Sequence, residues 1–394
     1  MKGYKKKQGG ELQRKVLRSL IIAGTAYACT FGGDNSVWAQ DYNSDETLEV
    51  GNTGNVTQWE TYDNVIIDKN NSDDSFNGIY LHMAGVNKQL KVNGKIDIEI
   101  TDDASNASTH SYTGLDIYGG KIMAADGFNV TIDSTAAAGS GNKYGIYENV
   151  GDMILGKDSH ITIDTKIGDA YGIFVEDGYG DTVLLGGKLQ IDINQNNENT
   201  ATEKAYGYYT KPNPNTDFAF EEVNIAVKSL NEAGGMYIET AGGNHNTYGK
   251  VWYHNNGDTF VKPYAGTENK KLVIKAEAVN GVAFGVRTVA VSDGNDINSL
   301  LFSEDANITA AGKTEAYGFD IGSSFDVEIG QALDIDVAAE DKAIGMQMCG
   351  NARYYDSNSF KSSGVNTIKA TATEGTAKGI YVFTGIGDEY NNPC

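Results

Sequence analysis

Residues 144–165 read YGIYENVGDMILGKDSHITIDT, and residues 171–193 read YGIFVEDGYGDTVLLGGKLQIDI. Both run aromatic, glycine, isoleucine, aromatic, a turn, a short apolar run, then isoleucine-x-isoleucine. A unit this small cannot bury a core alone, so its recurrence demands that copies stack on one another. Anchored on its glycine, the pattern returns at Gly78, Gly114, Gly145, Gly172, Gly207, Gly235, Gly285, Gly318, Gly345 and Gly379. Most steps are close to a solenoid-like period, and the long step from Gly235 to Gly285 is the outlier.

Alternation after each glycine identifies the inward side. Positions +1 and +3 are apolar at Ile79 and Leu81, Leu115 and Ile117, Ile173 and Val175, Met236 and Ile238, and Phe319 and Ile321. A second alternating segment follows each glycine at a near-constant step. Gly78 to Ile96, Gly114 to Ile132, Gly145 to Ile163 and Gly207 to Ile225 are equal steps. Gly172 to Ile191 is one position longer, and Gly318 to Ile335 one shorter. Such constancy places the insertions in turns and keeps strands in stacking register. A third short apolar run, Met153-Ile154-Leu155 or Val183-Leu184-Leu185, lies between the two. Period two means half-buried strands, and no helical period is evident beyond the amino-terminal segment. The expected fold is all-β: a parallel, right-handed β-helix solenoid of about ten coils with three short strands per coil. A propeller would need four strands and about forty residues per repeat. A sandwich gives no reason for a repeated register.

Composition agrees, with 48 Gly against 4 Pro, since continuous backbone pairing tolerates little proline. Lys2, Lys5, Lys6, Lys7, Arg14, Lys15 and Arg18 precede an apolar stretch from Leu20 to Phe31, and Val37-Trp38-Ala39 offers a signal-peptidase site before Gln40. Residues 1–39 therefore read as a cleaved secretion signal. A lipoprotein anchor through Cys29 fits less well, because Ala26-Tyr27-Ala28 puts a bulky ring near the cysteine. Residues 40–70 read as a lead-in or cap, and 71–394 as the β-helix. Cleavage removes seven basic and two acidic residues, leaving (31 − 7) − (53 − 2) = −27. Such a surface excludes nucleic acid as a partner. The remaining Cys349 and Cys394 make neither a disulfide framework nor a zinc spacing.

Three features carry candidate chemistry. The long gap between Gly235 and Gly285 holds residues 241–268, in which KVWYH and TFVKPY flank an Asn-Asn-Gly turn and read as a projecting hairpin. Its His245, Tyr248, Trp252, Tyr253 and His254 form the densest recognition chemistry in the chain. Tyr147, Phe174, Tyr209 and Tyr237 hold the second position after the glycine in successive coils. They serve either as a stacking platform for sugar rings or as cross-strand packing. Asp97, Asp133, Asp164 and Asp192 read as an outward acidic ladder, either solvated or holding Ca²⁺, the one cofactor such oxygens suit. Enzyme chemistry is poorly served. No nucleophile elbow, HExxH or phosphate loop occurs, and the mature chain holds only Arg287 and Arg353 to bind an acidic sugar.

A long cationic signal followed by an acidic, Gly/Asn/Thr/Asp-rich β-helix of loose repeats resembles the passenger region of bacterial autotransporters. The resemblance spans residues 1–394 by architecture and composition, not by a family-defining motif. It implies export through the inner membrane and display at the cell surface or release from it. It also implies adhesion to a protein or glycan of a host or neighbouring cell, and a C-terminal outer-membrane β-barrel in the full-length form. No barrel-like alternating segments close this sequence, and the coil begun at Gly379 reads as incomplete, as in a truncated product. A β-helix polysaccharide lyase or hydrolase, and a plain stalk for a missing domain, are the alternatives. Mass spectrometry of the exported protein should find Gln40 as its first residue; a lipid-modified Cys29 would overturn the signal assignment.

Overall fold

Three parallel ladders wind along one axis, and among the described residues every strand pairs with its counterpart in an adjacent coil. The computed structural model describes residues 40–50, 59–70, 74–81, 89–102, 110–135, 141–176, 181–196, 203–211, 215–240, 245–248, 271–290, 297–322, 325–351 and 359–385. The unit that begins at Gln40 is compact by itself. The described residues contain strands and no helix, so the chain is an all-β parallel solenoid.

The first ladder carries the repeat glycines. It runs through Phe76–Leu81, the first half of Tyr112–Ala124, the first half of Lys143–Leu155, Ala170–Val175, Lys204–Thr210 and Glu232–Thr240. It continues through Val282–Ala290, Glu315–Ile321, Lys342–Asn351 and Thr376–Gly385. The third ladder carries the Ile-x-Ile segments, from Val65–Asn70 to Asn366–Ala372. The middle ladder joins them, and each coil is closed by packing of the three inner faces. The inward assignment at +1 and +3 holds: Ile79, Leu81, Leu115, Ile117, Ile173, Val175, Met236, Ile238, Phe319 and Ile321 are all buried.

Nine of the ten repeat glycines are required by what faces them; at Gly379 a Cβ would meet Ile368 only at 4.0 Å, an ordinary contact. A Cβ on Gly78, Gly114, Gly145, Gly172, Gly207, Gly235, Gly285, Gly318 or Gly345 would come within 3 Å of a β-branched side chain across the core. Those partners are Ile98, Val130, Ile161, Ile191, Ile225, Ile274, Ile308, Ile335 and Ile368. The same Cβ would also press on the carbonyl oxygen of the next glycine in the ladder.

The expected constant step along the chain is corrected by this pairing. Gly145 meets Ile161 a short way along the chain, whereas Gly285 meets Ile308 after a longer path and Gly235 meets Ile274 after the longest. Ile132 and Ile163 belong to one inner column, Ile191, Ile225 and Ile335 to a second, and Ile96 to a third. The turns vary in length on both sides of the middle ladder, and the contact across the core is what stays constant.

Two further expectations change. His245–Tyr248, assigned above to a projecting hairpin, form a middle-ladder strand between Asn215–Phe218 and Ile297–Leu300. Backbone pairing with both neighbouring coils holds this segment in the rod; residues 249–270 lie outside the described residues. The lead-in at 40–70 is already part of the rod, because Gln40–Ser44 pairs with Trp59–Asn70 and Leu48–Val50 with Ile79–Leu81. Cys349 is disulfide-bonded, so packing and pairing are not its only restraints.

The glycine contact predicts a coupled pair. Gly207→Ala alone should cost about 1–3 kcal/mol through overpacking, and Ile225→Ala alone about 2–5 kcal/mol through its cavity. In urea titrations the double variant should lose clearly less than the sum, because each change relieves the other. Additive losses would mean that the two groups do not compete for space.

Candidate functional site

The outer face of the glycine ladder concentrates the described aromatic chemistry. At each repeat glycine the strand bends, so that the alternation is broken. Ala170, Ala205, Ala233, Ala283, Ala316 and Ala343, two residues before the glycine, point inward with the residue after it. The residue immediately before the glycine and the one two after it both point outward, in a cluster separate from the core. Two aromatic columns result. One runs Tyr144, Tyr171, Tyr206, Phe284 and Tyr317; the other runs Tyr147, Phe174, Tyr209 and Tyr237.

Rings within a column stack face to face. Tyr147–Phe174, Phe174–Tyr209 and Tyr209–Tyr237 have centroids 5.4, 5.2 and 4.9 Å apart, with ring planes within 5° of parallel. Tyr144–Tyr171 stack at 5.2 Å. Across columns the rings meet edge to face, as Tyr144–Tyr147 at 5.2 Å and Tyr171–Phe174 at 5.0 Å. Such pairs contribute about 0.5–1.5 kcal/mol each beyond buried area. Of the two readings of Tyr147, Phe174, Tyr209 and Tyr237, the ring contacts match cross-strand packing. Their faces lie against each other along the axis, which leaves mainly edges and hydroxyls toward solvent.

The hydroxyls are organised too. Tyr147 donates to Glu176, Tyr206 to Glu232 at 2.7 Å, Tyr209 to Glu239 at 2.8 Å and Tyr317 to Glu315. Tyr171 makes a longer contact of 3.4 Å with Asp169. Burial and then the carboxylate partner raise the phenol pKa values of Tyr147, Tyr209 and Tyr317, so these phenols stay protonated. Tyr206 rises for the same two reasons, its carboxylate acting as a nearby negative charge and as a hydrogen-bond acceptor. Tyr237 is pushed up to about 12 by burial and then by the charge of Glu239. Burial alone would raise Glu176, but hydrogen bonds from Tyr147 and Lys211 hold it below the usual range.

The second column ends in charge, whereas the first is flanked by Thr113 and Ile344. Asp116 is the neighbour of Tyr147 on one side; burial raises it to about 6 although Asn77 donates to it at 2.7 Å. On the other side Arg287 follows Tyr237, packs over the Phe284 ring at 4.2 Å and bonds Asp320 through Nε at 2.8 Å. Gly234 leaves a gap in the first column, which the Tyr206 and Phe284 rings close at 6.1 Å. A Cβ on Gly234 would come within 3 Å of both rings.

The acidic ladder does not exist as such. Asp97 stacks on Asn129, Asp133 on Asp164, and Asp192 on Thr162, so the four aspartates occupy three columns. Each has its own partner: Asn129 donates to Asp97, Thr135 to Asp133, Asn194 to Asp164, and Gln190 to Asp192. Among the described residues no three acidic, histidine or cysteine side chains converge on a metal position. His245 and Tyr248 are placed by backbone only. Trp252, Tyr253 and His254 lie outside the described residues.

Two features escaped the sequence reading. The column before the glycine was legible as the repeated aromatic-Gly pair at 144, 171, 206, 284 and 317. Glu148 was legible as a polar residue at an inward position between Ile117 and Val175. It is fully buried, and neither carboxyl oxygen has a hydrogen-bond partner. No family model, no curated protein and no solved structure matches the chain.

Burial, with Asp152 nearby, raises the Glu148 pKa well above the ordinary 4.5. The folded protein then holds a proton that the unfolded chain releases, so stability falls as pH rises from 4.5 through the folded-state value. Glu148→Leu should remove this fall and, at neutral pH, stabilise by about 1–3 kcal/mol, the cost of an unsatisfied buried polar group. Urea midpoints measured across pH check this, and parallel pH profiles for variant and parent would refute it.

Proposed function

We propose that the chain is a non-enzymatic adhesion or interaction module, similar to an autotransporter passenger, exported by its amino-terminal segment to the cell surface or beyond. The observation that carries this reading is the long parallel solenoid with one regular outer face of tyrosine edges and carboxylates. A rod of stacked coils holds a contact surface at a fixed distance and in a fixed register. Its hydroxyls and acids are largely committed to one another, a construction that favours persistent display over chemistry on a substrate. The partner class is a protein or glycan of a host or neighbouring cell, and the acidic surface disfavours nucleic acid.

Beads coated with the mature chain should adhere to cultured cells or to neighbouring bacteria. Removing residues 249–270, which lie between a middle-ladder strand and a third-ladder strand, should weaken adhesion while leaving the melting midpoint unchanged. Release of reducing or unsaturated ends from acidic polysaccharides without adhesion would replace this reading with a carbohydrate-active enzyme. Neither activity in the parent chain would leave a stalk.

A further inference from the structure

We infer that the stacked tyrosines are a relay for one-electron oxidising equivalents, taken from strong radical oxidants that reach the outer face of the rod. Six tyrosines lie in unbroken ring contact across four coils. Tyr147 meets Tyr144 at 5.2 Å, Tyr144 meets Tyr171 at 5.2 Å, and Tyr171 meets Tyr206 at 5.7 Å and Tyr209 at 5.6 Å. Tyr237 completes the series, 4.9 Å from Tyr209 and 5.6 Å from Tyr206. Packing alone would be served as well by phenylalanine, and one member of the stack, Phe174, is a phenylalanine. Tyrosine adds a phenol, which is far easier to oxidise than a phenyl ring, provided its proton has somewhere to go.

That provision is built in. Tyr147, Tyr206 and Tyr209 each donate to a carboxylate of the next coil, Glu176, Glu232 and Glu239 respectively. Loss of an electron from the ring turns the phenol into a phenoxyl radical as its proton moves to that carboxylate, giving a carboxylic acid. The oxidant, an oxygen-, nitrogen- or halogen-centred radical, is reduced by the same electron. A neighbouring tyrosine then supplies an electron to the phenoxyl, which recovers its own proton. Only electrons travel along the stack; at Tyr147, Tyr206 and Tyr209 the proton rocks within the hydrogen bond to the carboxylate, at Tyr171 it faces Asp169 at 3.4 Å, and Tyr144 and Tyr237 exchange theirs with solvent. At the far end a thiol or ascorbate-type reductant supplies the last electron, and the proton it releases passes through solvent to the reduced oxidant, so the stack itself ends unchanged. The coil geometry runs the relay along the rod axis, because successive links join tyrosines of adjacent coils.

The test uses the full exported chain with its disulfide intact. Tyr118 is exposed and sits in the strand of the preceding coil that pairs with the strand of Tyr147, so Tyr118→Cys accepts a ruthenium-polypyridyl photo-oxidant on the coil next to that end of the stack. Flash-quench oxidation, a tyrosyl absorbance readout and peptide mapping of trapped products locate the oxidised residues. Products should appear at Tyr206, Tyr209 and Tyr237 as well as beside the label. Tyr171→Phe keeps the ring and removes the phenol at the single link between the two halves, so distant products should be lost and near ones retained. Products confined to Tyr144 and Tyr147 in the parent would overturn the relay. So would an unchanged distribution in Tyr171→Phe with an unchanged melting midpoint. If Tyr171→Phe melts early, joint Tyr206→Phe and Tyr209→Phe replacement should by itself abolish oxidation at Tyr237, and oxidation persisting there would equally overturn the relay.

Discussion

A hydrogen atom on each repeat glycine from Gly78 to Gly345, facing a β-branched side chain across a narrow core, is the contact on which this rod depends. The first and third ladders approach so closely there that Gly145 has room for Ile161 and no more, and Gly172 likewise for Ile191. The same residue lets successive glycine backbones lie beneath one another. Parallel pairing then extends without interruption, because each coil presents the next with a matching cross-section. Interior packing at this density leaves no slack for a methyl group.

The glycine bend also creates the outer face. By breaking the in-out alternation, it turns two aromatic residues outward on either side of itself, where regular strand geometry would have turned one. Stacking of coils then converts a local pair into two continuous columns. Those columns need a way to satisfy their hydroxyls, and the chain supplies it one coil away, as Tyr206 with Glu232 and Tyr209 with Glu239. Aromatic order, acid placement and glycine spacing are thus consequences of one cross-section.

An acidic chain that stacks itself in register risks rows of like charge, and the register shows how most are avoided. Asp336 lies beside Lys369 and Lys228 beside Glu277, while Asp192 is followed by Ala226 and then Lys275. Lys121–Asp152 and Lys188–Glu222 are further pairs between adjacent coils. Exposed pairs of this kind add little stability singly, about 0–1 kcal/mol, but like charges in their place would oppose the native register. The inner exceptions are costlier. Glu148 occupies an inward position without a partner, while Lys143, lowered to about 8 by burial, is held by the carbonyls of Gly141 and Ile167.

Strand alternation, the glycine anchors and the parallel solenoid were legible in the amino acids, because a period of two and a recurrent glycine are local signals. Inward residues such as Ile191, Leu189 and Ile193 could be named from them. Which residues stack could not, because turns of unequal length separate the strands, and a shift of two positions keeps the same face while changing the neighbour. For that reason Asp97, Asp133, Asp164 and Asp192 read as one ladder and proved to lie in three columns. For the same reason the aromatics after the glycine left a platform and cross-strand packing both open, and only the pairing of coils shows their faces covered by those of the next coil. His245–Tyr248 read as part of a projecting hairpin because their pairing partners, Asn215–Phe218 and Ile297–Leu300, lie a whole coil away in either direction. The sequence alone determined the class of fold and its inner face, since both follow from local periodicity. Tertiary structure decided every column on the outside, since a column is a relation between coils that no single coil encodes.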